Sequence, residues 1–294
     1  MIEEITLKNE NTKDILTISK NPKHSYILDY ADFGQATCTR NTTKYIGQDG
    51  ISVSESSFDE RDIEISGWIV GENENEIAYK KKKLNTFINP MRKITLNYKS
   101  YSIEFYPEKS IEYALNYAEN NEVLCKFKIF GLCPYPLFKS KLIVSNAITT
   151  QPMFHFPLII KQNEGVKFGI KSKSQTFEVE NMGDVETGCI FEIHASGEVQ
   201  NPYLIDLFSF EQFAINYTMA AGDKIIINTQ TGQRNVKCIH SDLSEENFFK
   251  YRDLNSTWLQ LREGVNTFGI GAETNVEALE VLCKFTNKYI EVQQ

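Results

Sequence analysis

The chain has 294 residues, 41% of them hydrophobic and 24% charged, which is enough for two domains with buried cores. Its net charge of −8 argues against a general surface for nucleic acid or anionic membrane. The opening Met1-Ile2-Glu3-Glu4 is acidic where a secretory leader would be positive. The longest uncharged run, Leu142 to Ile160, is interrupted by Pro152 and Pro157, so neither a leader nor membrane insertion is expected.

Residues 1 to 70 read as short strands and loops. Ile5-Thr6-Leu7 and Ile15-Leu16-Thr17-Ile18 flank the turn-rich Asn9-Glu10-Asn11, and Tyr26-Ile27-Leu28 follows the turn signal Asn21-Pro22. Asp29 to Asp49 is polar and irregular, the kind of loop that carries contacts. Between Asp59 and Val70, Asp62, Glu64, Ser66 and Trp68 alternate with Ile63, Ile65 and Ile69. The acidic cluster of Asp59, Glu60 and Asp62 is thus the solvated side of a strand, not a general acid and base.

A helix is predicted over Asn75 to Asn89. Asn73 caps it with Glu76 three residues on, Ile77, Leu84 and Ile88 form one stripe, and Asn89-Pro90 stops it. Lys80, Lys81, Lys82 and Lys83 are consecutive, so helical twist spreads them around the axis and the run reads as a solvated face. Together with Asp59, Glu60 and Asp62 they are the candidate subunit or partner contacts. Next, Ile94, Leu96 and Tyr98 turn at Lys99-Ser100 into Tyr101, Ile103 and Phe105, a hairpin, and Val123, Cys125, Phe127 and Ile129 form a further strand. Residues 1–140 therefore read as an α+β domain with one main helix. So many strands with one helix to cover them should leave sheet edges open.

Pro134, Pro136, Pro152 and Pro157 mark a boundary near residue 140. Residues 141–294 are nearly all strand. Phe177 and Val179 lead to the turn Asn181-Met182-Gly183-Asp184. Cys189, Phe191, Ile193 and Ala195 then share one face, with Ile190, Glu192 and His194 on the other. Phe213, Ile215, Tyr217 and Met219 alternate, Ala221-Gly222-Asp223 turns, and Ile225 to Ile227, Val236-Cys238-His240 and Leu279-Val281-Cys283-Phe285 follow. Short strands with turn signals between them indicate an antiparallel β-sandwich. The six cysteines show no C-x-x-C pair and read as reduced, mostly buried thiols.

Reactive chemistry is absent from the motifs. The four histidines are isolated, and no H-E-x-x-H, G-x-S-x-G, P-loop or EF-hand is present. Gly269-Ile270-Gly271 lacks the third glycine of a dinucleotide fingerprint and precedes a strand. His240 on an apolar strand face reads as a satisfied core histidine. No catalytic, cofactor or metal residue is assigned. Trp258 and Tyr203 are the candidates for a sugar-binding platform, but Leu259 and Leu261 beside Trp258 read it as a core aromatic.

Four pieces carry a family resemblance in the second half: Glu180-Asn181-x-Gly183-Asp184-x-x-Thr187-Gly188, Asn201-Pro202-Tyr203, Ala221-Gly222-Asp223, and Asn255-Ser256-x-Trp258-Leu259-x-Leu261-x-x-Gly264-x-Asn266. In the first half the pieces are Arg61-x-Ile63-x-Ile65-x-Gly67, Leu84-x-x-Phe87-Ile88-Asn89-Pro90, and Phe127-x-Ile129-x-x-x-Cys133-Pro134-Tyr135-Pro136-Leu137-Phe138. In this order and spacing they resemble the distal tail proteins of long-tailed, non-contractile bacteriophages. The resemblance implies a mainly β protein, with an N-terminal ring-forming domain over 1–140 and a galectin-like β-sandwich over 141–294. It implies a homo-hexamer at the virion tail tip, assembled in the bacterial host cytoplasm. The ring would join the tail tube protein to the tail hub or baseplate protein, with DNA only passing through its channel. It implies no enzyme activity and no cofactor, and the galectin sugar-binding signature is absent. The alternative from another class is a carbohydrate- or receptor-binding tail protein that grips host wall sugars.

Overall fold

In the computed structural model, which describes residues 2–47, 49–146, 148–152, 169–173 and 175–292, the chain divides into two units. The first comprises Met1–Lys141 and Tyr289–Gln294, the second Leu142–Lys288. The return of the last residues to the first unit has no signal in the sequence. The molecule is mainly β, with one α-helix among the described residues.

The first unit holds strands β1 (Glu4–Asn9), β2 (Ile15–Ser19), β3 (Tyr26–Asp32), β4 (Cys38–Thr43), β5 (Ser52–Phe58) and β6 (Arg61–Val70). Helix α1 (Glu74–Phe87) follows, then β7 (Ile94–Tyr98), β8 (Tyr101–Pro107), β9 (Glu112–Tyr113), β10 (Leu124–Cys133) and β11 (Phe138–Lys139). Alternation sets the inner face: β1 buries Ile5 and Leu7, β6 buries Ile63, Ile65 and Ile69, and β10 buries Cys125, Phe127, Ile129 and Cys133.

The sheet runs β8-β7-β1-β2-β3-β6-β10, and β8 also bonds β10 through Gly131↔Pro107 and Leu132↔Tyr106. The sheet thus closes on itself as a barrel around one hydrophobic core. This narrows the expectation of open edges: closure satisfies the backbone groups of the barrel strands, while the β4–β5 hairpin, which pairs with no other strand, keeps its edges. Gly131 makes the closure sterically possible, since a Cβ there would stand 2.2 Å from the Phe105 ring. The parallel link is β2 to β3, through Ser19↔Ile27. β4 and β5 pair only with each other and form a separate hairpin arm.

Helix α1 begins where the sequence places it. The Asn73 side chain accepts the Glu76 N–H at 3.0 Å, and Glu76 in turn accepts the Glu72 N–H at 2.7 Å. Ile77, Leu84, Phe87 and Ile88 are buried in the barrel's core cluster. Lys99, in the left-handed region at φ 54°, makes the two-residue turn between β7 and β8.

The second unit stacks two antiparallel sheets. One has the order Ile143–Asn146, Leu279–Phe285, Ile190–Ala195, Lys224–Asn228, Asn235–Ile239 and Glu245–Asn247. The other runs Thr176–Asn181, Gly264–Gly271, Tyr203–Asp206 and Gln212–Ala214. Phe191 of the first meets Phe268 of the second edge to face at 5.3 Å, within one buried cluster. A hairpin of Ile148–Pro152 with Gly169–Lys173 lies outside both sheets. The remainder of the run Leu142 to Ile160 falls largely outside the described residues. No helix among those described is long and apolar enough to cross a membrane.

Candidate functional site

The four lysines of α1 leave in different directions, as their spacing requires. Lys80 pairs with Glu76 at 2.7 Å and donates to the Val70 carbonyl at 2.6 Å. Lys81 donates to Asn120 at 2.8 Å and lies over the Tyr113 ring. Both therefore serve the first unit itself. Lys82 and Lys83 are exposed, and their ammonium groups have no partner among the described residues. With Arg92 they border a groove of about 460 Å³ floored by Ile15, Leu16, Tyr79 and Phe87. Ile15 and Tyr79 are each about two-thirds exposed there.

Glu60 and Asp62 are exposed, Asp59 is half-buried, and none of the three carboxylates has a partner among the described residues. Within one chain the structure does not pair Lys80–Lys83 with them. Glu64, two residues on, is taken by Lys128 at 2.8 Å and by the Tyr30 hydroxyl, and these bonds hold its carboxyl below the usual range. The acidic cluster sits where the arm rejoins the barrel. The arm itself displays Tyr45, Ile46, Ile51, Val53 and Phe58. A two-stranded hairpin with apolar residues exposed gains little from its own chain.

Sequence reasoning treated Arg61 as part of a strand pattern. It is 1% exposed, packs under the Phe138 ring with 5.0 Å to the centroid, and donates to the Ile290 carbonyl at 2.5 Å. The Glu291 carboxylate lies 3.8 Å away, while Nε and Nη1 lack partners among the described residues. Arg61 is thus the anchor that holds the returning segment against the barrel, helped by the Tyr101–Tyr289 contact at 5.1 Å.

In the second unit Trp258, a candidate for a sugar platform that reads in sequence as a core aromatic, packs against the core cluster. Trp258 packs on Phe213 at 5.0 Å and lies beneath the guanidinium groups of Arg234 and Arg252. Tyr203 crosses Gly271 so closely that a Cβ there would stand 2.1 Å from its ring. Phe208 and Phe210 are exposed on the turn after Asp206, with Arg262 4.1 Å from the Phe208 centroid.

His240 is not alone, as it reads in sequence. Its Nδ1 lies 3.2 Å from Asp223 Oδ1 and 3.8 Å from Cys238 Sγ, and its Nε2 lies 3.5 Å from Glu246 Oε2. Asp223 above all holds the imidazole pKa above its ordinary value, while burial pushes the Cys238 thiol up to about 12. The sequence shows only that Cys238 and His240 alternate onto one face; the Lys224↔Ile239 register is what brings Asp223 beside His240.

Residues 10–129 match the family model described as a phage tail protein RIFT-related domain, and residues 182–289 match the C-terminal domain of siphovirus-type tail components. Among curated proteins, none matches the sequence significantly. Among solved structures, the Dit protein of SPP1, described as a paradigm of the hub adsorption apparatus in phages infecting Gram-positive hosts, is similar at 13% identity with a TM-score of 0.67. The match covers 97% of this chain and 98% of that one. A chain in the phage P2 baseplate in its activated conformation with Ca is similar at 12% identity and a TM-score of 0.52, covering 99% and 100%. Both domain models are matched in order and the fold of a distal tail protein is followed along nearly the whole length, so the chain belongs to the distal tail protein family of siphovirus-type phages.

Proposed function

We propose that this tail structural protein forms a closed ring of six subunits between the tail tube and the tail hub or baseplate, with a central channel for DNA. The observation that carries the reading is the ordered match of both units to siphovirus-type tail domains, residues 10–129 and 182–289. The surface of the first unit supports it. Lys82, Lys83 and Arg92 on one face and Asp59, Glu60 and Asp62 on another lack partners in the chain among the described residues. Two unlike faces suit a head-to-tail contact, which closes into a ring when its rotation allows. The apolar residues of the arm add a surface for a neighbour. A net charge of −8 suits a channel that must not hold the genome by its phosphates. The protein acts as an adaptor and not as a catalyst.

The alternative, a carbohydrate- or receptor-binding tail protein, draws on one observation, the exposed pair Phe208 and Phe210 beside Arg262. Negative-stain imaging and mass measurement of the full chain at micromolar concentration separate the two. Rings with a central hole, at six times the chain mass, are expected. A strictly monomeric chain that binds wall glycans would overturn the ring reading.

A further inference from the structure

The sheet Lys224–Asn228, Asn235–Ile239 and Glu245–Asn247 gathers four polar groups, Asp223, Cys238, His240 and Glu246, from three adjacent strands and their ends. Asp223 precedes the first strand and is held in its turn: its Oδ2 accepts the Ala220 N–H at 2.9 Å, and Gly222 takes φ 94°. Cys238 and His240, two residues apart, project from the second strand to one side. Glu246 lies opposite Cys238 on the third. Asp223 and Cys238 are 3% and 0% exposed, and His240 is half-buried with a route to solvent.

We propose that Asp223, Cys238 and His240 form a zinc site, a role separate from the tail-ring reading. Their ligand atoms all lie within 4.8 Å of one another, and this is the one convergence of three such groups among the described residues. In a tetrahedral zinc site, with Zn–N and Zn–O near 2.0 Å and Zn–S near 2.3 Å, donors stand about 3.3–3.6 Å apart. The observed 3.2 Å from His240 Nδ1 to Asp223 and 3.8 Å to Cys238 are within a few tenths of an ångström of that range, and Asp223 and Cys238 lie within 4.8 Å of each other. A mixed sulfur, nitrogen and oxygen donor set selects zinc over calcium or magnesium, which prefer oxygen alone.

The outer contacts also fit. A metal-bound histidine donates its other N–H to a carboxylate, and Glu246 lies 3.5 Å from Nε2. Glu246 is steadied by Lys250 at 2.8 Å. Binding would release the Cys238 thiol proton to water. The resulting thiolate and the Asp223 carboxylate balance the two positive charges of the ion, so the buried site is neutral. Water takes the fourth position, on the open side by His240.

The test uses the full chain, stripped with chelator and titrated with Zn2+ against a chromophoric competitor. One Zn2+ per chain is expected, with a raised melting temperature. Co2+ in its place should give a thiolate-to-metal charge-transfer band. Cys238→Ser should abolish the band and weaken Zn2+ binding at least tenfold, and the isosteric Glu246→Gln at a half-buried position should weaken it about tenfold while leaving the fold intact. The proposal is overturned if the wild-type chain takes up no Zn2+, or if bound Co2+ shows no thiolate band. Equal affinity in wild type and Glu246→Gln would overturn the proposed arrangement even where Cys238→Ser fails to fold.

Discussion

The two units differ in where they match their charges. In the second, buried carboxylates are matched at home: Glu192 meets Lys284 at 2.7 Å and Lys224 at 3.6 Å, and Asp206 meets Arg262 at 3.0 Å. Glu192 and Asp206 are 7% and 5% exposed, and leaving either unmatched would be costly. The first unit matches charges too, as at Glu10 with Lys8 and Lys13. It nonetheless leaves three cations along one groove and three carboxylates beside the arm, all without partners among the described residues. Its backbone, by contrast, is closed into a barrel. The lesson is that a fold finished inside can be unfinished outside. What the barrel itself offers a neighbour is side-chain chemistry, and open strand edges remain on the β4–β5 arm.

If each unit holds its own core, a core substitution in one should spare the other. The largest effect is expected at the contact between the two sheets of the sandwich. Phe268→Ala removes a fully buried ring packed on Phe177 at 5.6 Å and Phe191 at 5.3 Å. It should cost the second unit about 3–5 kcal/mol. Denaturant unfolding followed by amide exchange in each unit would show it, and an equal loss of protection in the barrel would break the picture of two separate cores.

The counterpart in the first unit is Arg61→Ala, expected to cost about 3 kcal/mol through lost packing on Phe138 and a freed segment at Ile290. Arg61→Met keeps the volume, and because Nε and Nη1 lack partners among the described residues, it should recover most of that loss. Amide exchange at Tyr289–Val292 should rise in Arg61→Ala and leave the sandwich unchanged. If those amides stay protected, Arg61 is not the anchor.

A smaller effect separates matched from unmatched charge within the first unit. Hydrogen bonds from Lys13 first and Lys8 second hold Glu10 near pKa 2, against an ordinary 4.5. A depressed carboxylate pKa contributes stability that is present above the unfolded value. That stability is lost as pH falls through the folded one. Stability from Glu10 should therefore fade between about pH 4.5 and 2. Glu10→Gln should cost about 1 kcal/mol near neutrality, after allowance for solvent screening, and nothing at the acid end. A constant difference between the two proteins across that range would refute the assignment.

Much of this was legible, for local reasons. The start of α1 rests on Asn73 and Glu76, three residues apart, and the β7–β8 hairpin on Lys99 between two alternating runs. Sequence patterns carry such short-range features directly. Alternation likewise placed Cys189, Phe191 and Ile193 inward, but put Glu192 on the solvated face. It is nearly buried there because lysines from the flanking strands fold over it. Long-range features were not legible. Arg61 and Ile290 are 229 positions apart, and nothing near Tyr289 marks its return to the barrel. Barrel closure depends on Gly131 meeting β8, which no periodicity encodes. Asp223 read as a turn residue and His240 as a core residue, and only the register between their strands joins them.

The smallest effect on stability should accompany a large effect on assembly. Lys82→Glu with Lys83→Glu alters exposed side chains that touch nothing in the chain beyond the groove they border, so the fold should change by no more than about 0.5 kcal/mol. If those ammonium groups face the carboxylates of Asp59, Glu60 and Asp62 on the next subunit, reversal puts like charges together at every interface of the ring. In the proposed ring six equivalent contacts would weaken at once, and the chain should sediment as monomer at concentrations where the parent assembles. The proposed ring should itself loosen as salt is raised, since contacts at an exposed rim are screened. The decisive arm is the exchange: Asp59→Lys with Glu60→Lys, added to the lysine reversals, restores opposite charge across the contact and should restore the ring. Folded monomers in the double reversal and rings in the exchange would fix the pairing of faces. Rings in the double reversal would mean that the arm's apolar residues, and not these charges, hold neighbouring subunits together.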